Sequence, residues 1–118
     1  MADQTKPFET SWMWLLKIIT GVFVAVVLLV HLVVNHIVAE GGLLSYADVV
    51  QYLSNPLIAV MEGTFLVLVV THSLTGVRGI ILDLNPTPRA IKWIDSFLAL
   101  LGLTSVSYGI WLLWVIIT

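Results

Sequence analysis

Residues 12–38 read WMWLLKIITGVFVAVVLLVHLVVNHIV, an apolar run whose only charged side chain, histidines aside, is Lys17. A hydrocarbon core about 30 Å thick is crossed by roughly 20 apolar residues rising about 1.5 Å each. This stretch is therefore long enough to span a bilayer. Trp12 and Trp14 sit at one end, where indole rings favour the membrane interface, and Lys17 is close enough to that end to snorkel outward. The rest of the chain agrees: of 118 residues 59% are hydrophobic and 10% charged, and the mean hydropathy is +1.05. A soluble domain of this size does not need so much apolar surface. The expected fold is all-α and integral to the membrane, a single transmembrane domain over residues 1–118 with no room for a soluble catalytic domain.

Glu40-Gly41-Gly42 breaks the first helix. Residues 45–54 carry Tyr46, Val49, Val50 and Leu53 at helical spacing, and being too short to span they are expected to lie in the interface. Asn55-Pro56 opens a second spanning helix, because proline is tolerated in a first turn. That helix is expected over residues 56–84 and ends at Asn85-Pro86-Thr87-Pro88. A third follows over residues 91–117, with Trp111 and Trp114 near its far end. All five basic residues fall on one side: Lys6 and Lys17 before or at the start of the first helix, and Arg78, Arg89 and Lys92 around the second connection. The positive-inside rule then puts the N-terminus in the cytoplasm. The polar N-terminal residues show no signal-peptide pattern, so insertion is assigned to the first helix itself.

Cysteine is absent, so any metal must be held by histidine or oxygen ligands. His72 lies at mid-membrane, roughly 16 Å along the helix from Asp83, and His31 lies about 19 residues beyond Trp12, toward the opposite leaflet. At different depths the two do not share one iron, and each needs a partner from elsewhere. Gly76, Gly79 and Asp83 fall within roughly 40° of His72 around the helix, making a bare face that admits another helix or a flat macrocycle. An ionisable ring in a bilayer is a functional hypothesis; the plainer alternative is a glycine seam beside a hydrogen-bonded core histidine.

His31 shares a stripe with Thr20, Val24 and Asn35, and Asn35 or a carbonyl is expected to hold its second ring nitrogen. His36 reads as interfacial. Arg78 suits an anionic ligand group such as a propionate, or else only snorkels. Asp83 is either a solvated helix-end carboxylate or a proton-handling group. Glu62 either reaches the interface or is a buried carboxylate coupled to proton movement, and Asp95 is expected to be solvated. Thr104, Ser105, Ser107 and Tyr108, with Gly102 and Gly109, read as interhelical packing and hydrogen bonding.

The run His72-x-x-x-Gly76-x-Arg78-x-x-x-x-Asp83 resembles the second-helix motif of the cytochrome b membrane anchors of succinate:quinone oxidoreductase, or complex II, a succinate dehydrogenase. The His31 to His36 segment and the run from Tyr46 to Pro56 resemble the small hydrophobic membrane anchor of archaeal and some bacterial enzymes. The resemblance covers nearly the whole chain from Ser11 onward, and the absence of a Ser-Pro-His type signature separates it from the larger cytochrome b anchor. It implies that haem b is held between helices of two different chains, with His72 an axial ligand of the inner haem and its counterpart on a companion cytochrome b anchor. In two-haem relatives a first-helix histidine, here His31, ligates the outer haem. It further implies Gly76 beside the macrocycle, Arg78 near propionates or quinone, and Asp83 bordering the quinone pocket. One-haem relatives often follow that aspartate with a quinone-bonding tyrosine. Leu84 stands here, so that donor comes from another chain or the quinone sits differently.

The function so implied is a membrane anchor and haem b subunit carrying electrons from an iron–sulfur subunit to a membrane quinone, in the prokaryotic cytoplasmic membrane. Succinate oxidation would belong to an FAD flavoprotein; membrane lipid, and not nucleic acid, is the other expected partner. One or two haems, ubiquinone or menaquinone, and succinate oxidation or fumarate reduction are left open by these residues. Two competing functions are a structural anchor whose histidines bind no haem, and a small proton-coupled transporter built around Glu62.

Overall fold

The structure, a computed structural model, describes residues 9–38, 41 and 45–118. Residues 1–8, with Lys6, and Glu40 and Gly42 of the expected break lie outside the described residues. Helix α1 spans Ser11–Val33 and runs on as a π-helical turn over Val34–Val38. Short helix α2 covers Tyr46–Leu53, α3 covers Pro56–Asp83 and α4 covers Pro88–Ile117. The fold is thus all-α, with three helices long and apolar enough to cross a membrane and a short helix between the first two.

Local chemistry places each boundary. Thr10 caps α1 by accepting from the Met13 amide at 3.3 Å. Ser45 and Asp48 form a reciprocal capping box on α2, satisfying amides that have no partner within the helix. Asn55 and Thr87 cap α3 and α4, each followed by proline in the first turn, where its missing N–H costs nothing. Pro88 therefore starts α4 ahead of residue 91, whereas the sequence pattern marks it only as the end of the preceding helix. Asn85 closes α3 at φ 53°, a left-handed position asparagine tolerates better than most residues. The π turn has its own cause: the Asn35 side-chain amide donates to the His31 carbonyl at 2.7 Å, occupying an acceptor of the regular ladder.

Helix α3 is the middle element. It packs on α1 along one flank and on α4 along the other, and α2 touches α3 and α4; among the described residues α1 and α4 do not meet directly. Close approach of α3 and α4 depends on glycine at Gly109, where a Cβ would overlap the Leu66 side chain, and at Gly102, where it would come within 2.7 Å of Leu74 Cδ1. The hydroxyls of α4 do not cross to a neighbour as the sequence suggests. Thr104 and Ser105 donate to carbonyls of their own helix, Leu100 and Leu101, each at 2.7 Å, and Tyr108 is exposed beside Trp111. A row of three helices buries little of itself: Leu53, Leu82 and Leu98 are the only buried hydrophobic residues among those described. In a bilayer, lipid or further helices cover the remaining apolar faces.

Candidate functional site

The ring of His72, on α3, lies across the first half of α1. Gly21 makes room for it: a Cβ there would stand 3.1 Å from His72 Cε1. His72 Nδ1 is 3.2 Å from the Lys17 carbonyl and 3.3 Å from Thr20 Oγ1. Thr20 is buried and gives its own hydroxyl proton to the Leu16 carbonyl at 2.7 Å. A carbonyl only accepts, so the proton belongs on Nδ1, shared between Lys17 O and Thr20 Oγ1. Nε2 is then an unprotonated lone pair, with no hydrogen-bond partner among the described residues. One turn away Gly76 has nothing within 4 Å of where its Cβ would be, so the surface beside the ring is open.

The other residues of the expected face separate. Gly79 packs against the start of α1, where a Cβ would meet Lys17 Nζ at 3.1 Å. Lys17 does not simply snorkel: its ammonium pairs with Glu9 at 2.9 Å, while its carbonyl serves His72. Asp83 is exposed at the end of α3. Arg78 lies about 120° around the helix from His72 and faces α4 instead. It makes a two-pronged ion pair with Asp95, Nε to Oδ1 at 2.7 Å and Nη2 to Oδ2 at 3.3 Å. Asp95 is thus held by a guanidinium while its side chain stays partly exposed. The pair sits at one end of an apolar cavity of about 540 Å³ between α3 and α4, walled by Val70, Leu74, Leu98 and Val106.

His31, on α1, belongs to a separate cluster. Its Nδ1 lies 2.8 and 3.0 Å from the two Glu62 carboxylate oxygens, and its ring tilts over Phe65 at a centroid distance of 5.3 Å. Glu62 holds the ring nitrogen most closely, and the Asn35 side-chain amide lies 3.3 Å from it, as the sequence suggests. The buried Asn35 donates to the His31 carbonyl and, at 3.1 Å, to Tyr52 Oη. Tyr52 in turn donates to Glu62 Oε1 at 2.6 Å. Burial and the Glu62 carboxylate push the Tyr52 hydroxyl up to about 12, because both oppose a second negative charge there. Glu62 is thus turned toward His31 and Tyr52, and His36 is exposed.

The roles of Tyr52 and Asp95 are not visible in the sequence pattern. Arg78 and Asp95 stand at similar distances on either side of the Asn85-Pro86 turn, so hairpin symmetry is the signal that could pair them. No comparable signal announces Tyr52, whose place depends on how α2 folds back over α3. Among the described residues no three histidine, cysteine or carboxylate groups cluster to enclose a metal ion. His72 and His31 each instead present an imidazole with one nitrogen fixed by hydrogen bonds, an arrangement that orients metal ligands.

The family described as succinate dehydrogenase/fumarate reductase transmembrane subunit matches residues 4–110. The succinate dehydrogenase hydrophobic membrane anchor subunit of Archaeoglobus fulgidus is 30% identical over 100 residues, 85% of each chain.

Proposed function

This chain belongs to the succinate dehydrogenase/fumarate reductase transmembrane subunit family, and on that premise we propose that it holds haem b through His72 and passes electrons toward a membrane quinone. Membership makes it a multi-pass membrane anchor, whose partners include catalytic subunits and lipid. The observation supporting haem is the state of the His72 ring: Nδ1–H committed to Lys17 O, Nε2 bare, and the flank at Gly76 open. Haem b bound there would supply a one-electron carrier in a low-dielectric enclosure.

The chain's own contribution is positional. Lys17 and Thr20 lock the ring's tautomer, Gly21 lets the ring lie against α1, and Gly76 leaves room for a flat macrocycle. His72 has no second histidine near it, so a further ligand to the iron would come from a companion cytochrome b anchor. His31 offers the same chemistry at the other end of the bundle, with Glu62 in the orienting role, and is proposed as ligand of an outer haem. Asp83, exposed at the end of α3, and Arg78, at the polar end of the α3–α4 cavity, are proposed to border the quinone. The iron–sulfur and FAD subunits would dock on the end bearing Arg78, Arg89 and Lys92, which the positive-inside rule assigns to the cytoplasm.

Reduced-minus-oxidised spectroscopy of the purified complex tests this. A reducible haem b band that is lost or diminished in His72→Ala supports the proposal. A band and haem content unchanged in that variant exclude His72 as a ligand, and a native complex lacking the band leaves a structural anchor.

A further inference from the structure

Tyr52 is tied to His31 without touching it. Its hydroxyl donates to Glu62 Oε1 at 2.6 Å, the same oxygen that lies 2.8 Å from His31 Nδ1. Asn35 extends the chain by donating to Tyr52 Oη at 3.1 Å, and a hydroxyl that accepts a hydrogen bond becomes a better donor. The other Asn35 amide proton goes to the His31 carbonyl, so its 3.3 Å approach to Nδ1 brings no proton there, and the ring's own N–H donates to Glu62. Two donors therefore share one carboxylate oxygen. The Glu62 side chain is only 14% exposed, and the other side chains around the cluster are the apolar Val49, Leu53 and Leu113. Little water reaches Glu62 to relieve that competition, and what Tyr52 draws from the carboxylate is withheld from His31.

On the reading of His31 as an iron ligand, we propose that Tyr52, from the short helix α2, is a positioning residue that sets the reduction potential of the His31 centre through Glu62. A carboxylate that accepts from Nδ1–H gives the imidazole more anionic character and makes its free nitrogen Nε2 more basic. That favours ferric over ferrous iron and lowers the potential. Tyr52 opposes the pull by occupying Oε1, so its hydroxyl raises the potential. His72 lacks this control, because its Nδ1 meets a neutral carbonyl and a hydroxyl. Adhesion of α2 to the bundle would not by itself need a proton donor at position 52, since Leu53 on the same helix is already buried.

Potentiometric titration of the haem spectrum in the intact complex tests it, the component lost in His31→Ala being the His31 centre. That component should move to lower potential in Tyr52→Phe and to higher potential in Glu62→Gln, while the His72 component stays in place in both. An unmoved His31 component in Tyr52→Phe, or shifts of one sign in the two variants as entry of water would give, overturns the proposal. If Tyr52→Phe does not assemble, 3-fluorotyrosine placed at position 52 decides, being a stronger donor of nearly the same shape: the potential should rise, and an unmoved potential is the adverse result. A His31→Ala complex that keeps every haem component rejects His31 as a ligand, and the role of Tyr52 with it.

Discussion

At the scale of the residue, function turns on which ring nitrogen carries the proton. For His72 a backbone carbonyl decides it, and a backbone carbonyl survives side-chain substitution. Thr20→Val should therefore leave haem content nearly intact, whereas Gly21→Val, which drives a branched side chain against the imidazole, should lower it severalfold; haem per complex separates the two. Tyr52 offers a pH test. Its hydroxyl is raised from 10.0 to about 12, so its contribution to stability is complete below the unfolded value and is lost as pH rises from about 10 to about 12. Spectrophotometric titration of tyrosinate should show a component in that upper window that is absent from Tyr52→Phe. His72 and His31 are legible in the sequence because an ionisable residue in a long apolar run stands out. Their partners are not: a main-chain carbonyl has no sequence signature, and Glu62 reaches His31 only once α3 has packed on α1.

At the scale of the element, two glycines of similar appearance do different work. Gly109 is filled from across the α3–α4 interface by Leu66, whereas Gly76 faces open space. Gly109→Leu should destabilise the helix pair by about 1–3 kcal/mol, the usual cost of overpacking, lowering the thermal midpoint of the complex. Gly76→Leu should change that midpoint less yet reduce haem retention, because it fills the space beside His72. Equal effects in both assays would contradict the division. Helix starts at Pro56 and stops near Asn85 are readable from proline and asparagine chemistry. The π turn is not, since it depends on one side chain competing for one carbonyl. The periodicity of α2 is only partly informative: Leu53 is buried as its stripe suggests, but Tyr46 on the same stripe is exposed, and Tyr52 beside it makes the contact with Glu62.

At the scale of the whole molecule, three helices in a row cannot bury both flanks, and so the protein is built to be completed by other chains and by lipid. Composition makes the membrane fold legible, and by the positive-inside rule the one-sided placement of Lys17, Arg78, Arg89 and Lys92 predicts a cytoplasmic N-terminus. With no native cysteine, single substitutions report topology cleanly. Arg89→Cys should react with an impermeant thiol reagent only from the cytoplasmic side and Ser45→Cys only from the other; labelling of both from one side would refute the arrangement. The most direct test of haem ligation replaces the imidazole and then returns it. His72→Gly should purify as a complex depleted in haem b, and added free imidazole should restore the reduced band. A full haem complement in His72→Gly before any imidazole is added would contradict ligation by His72.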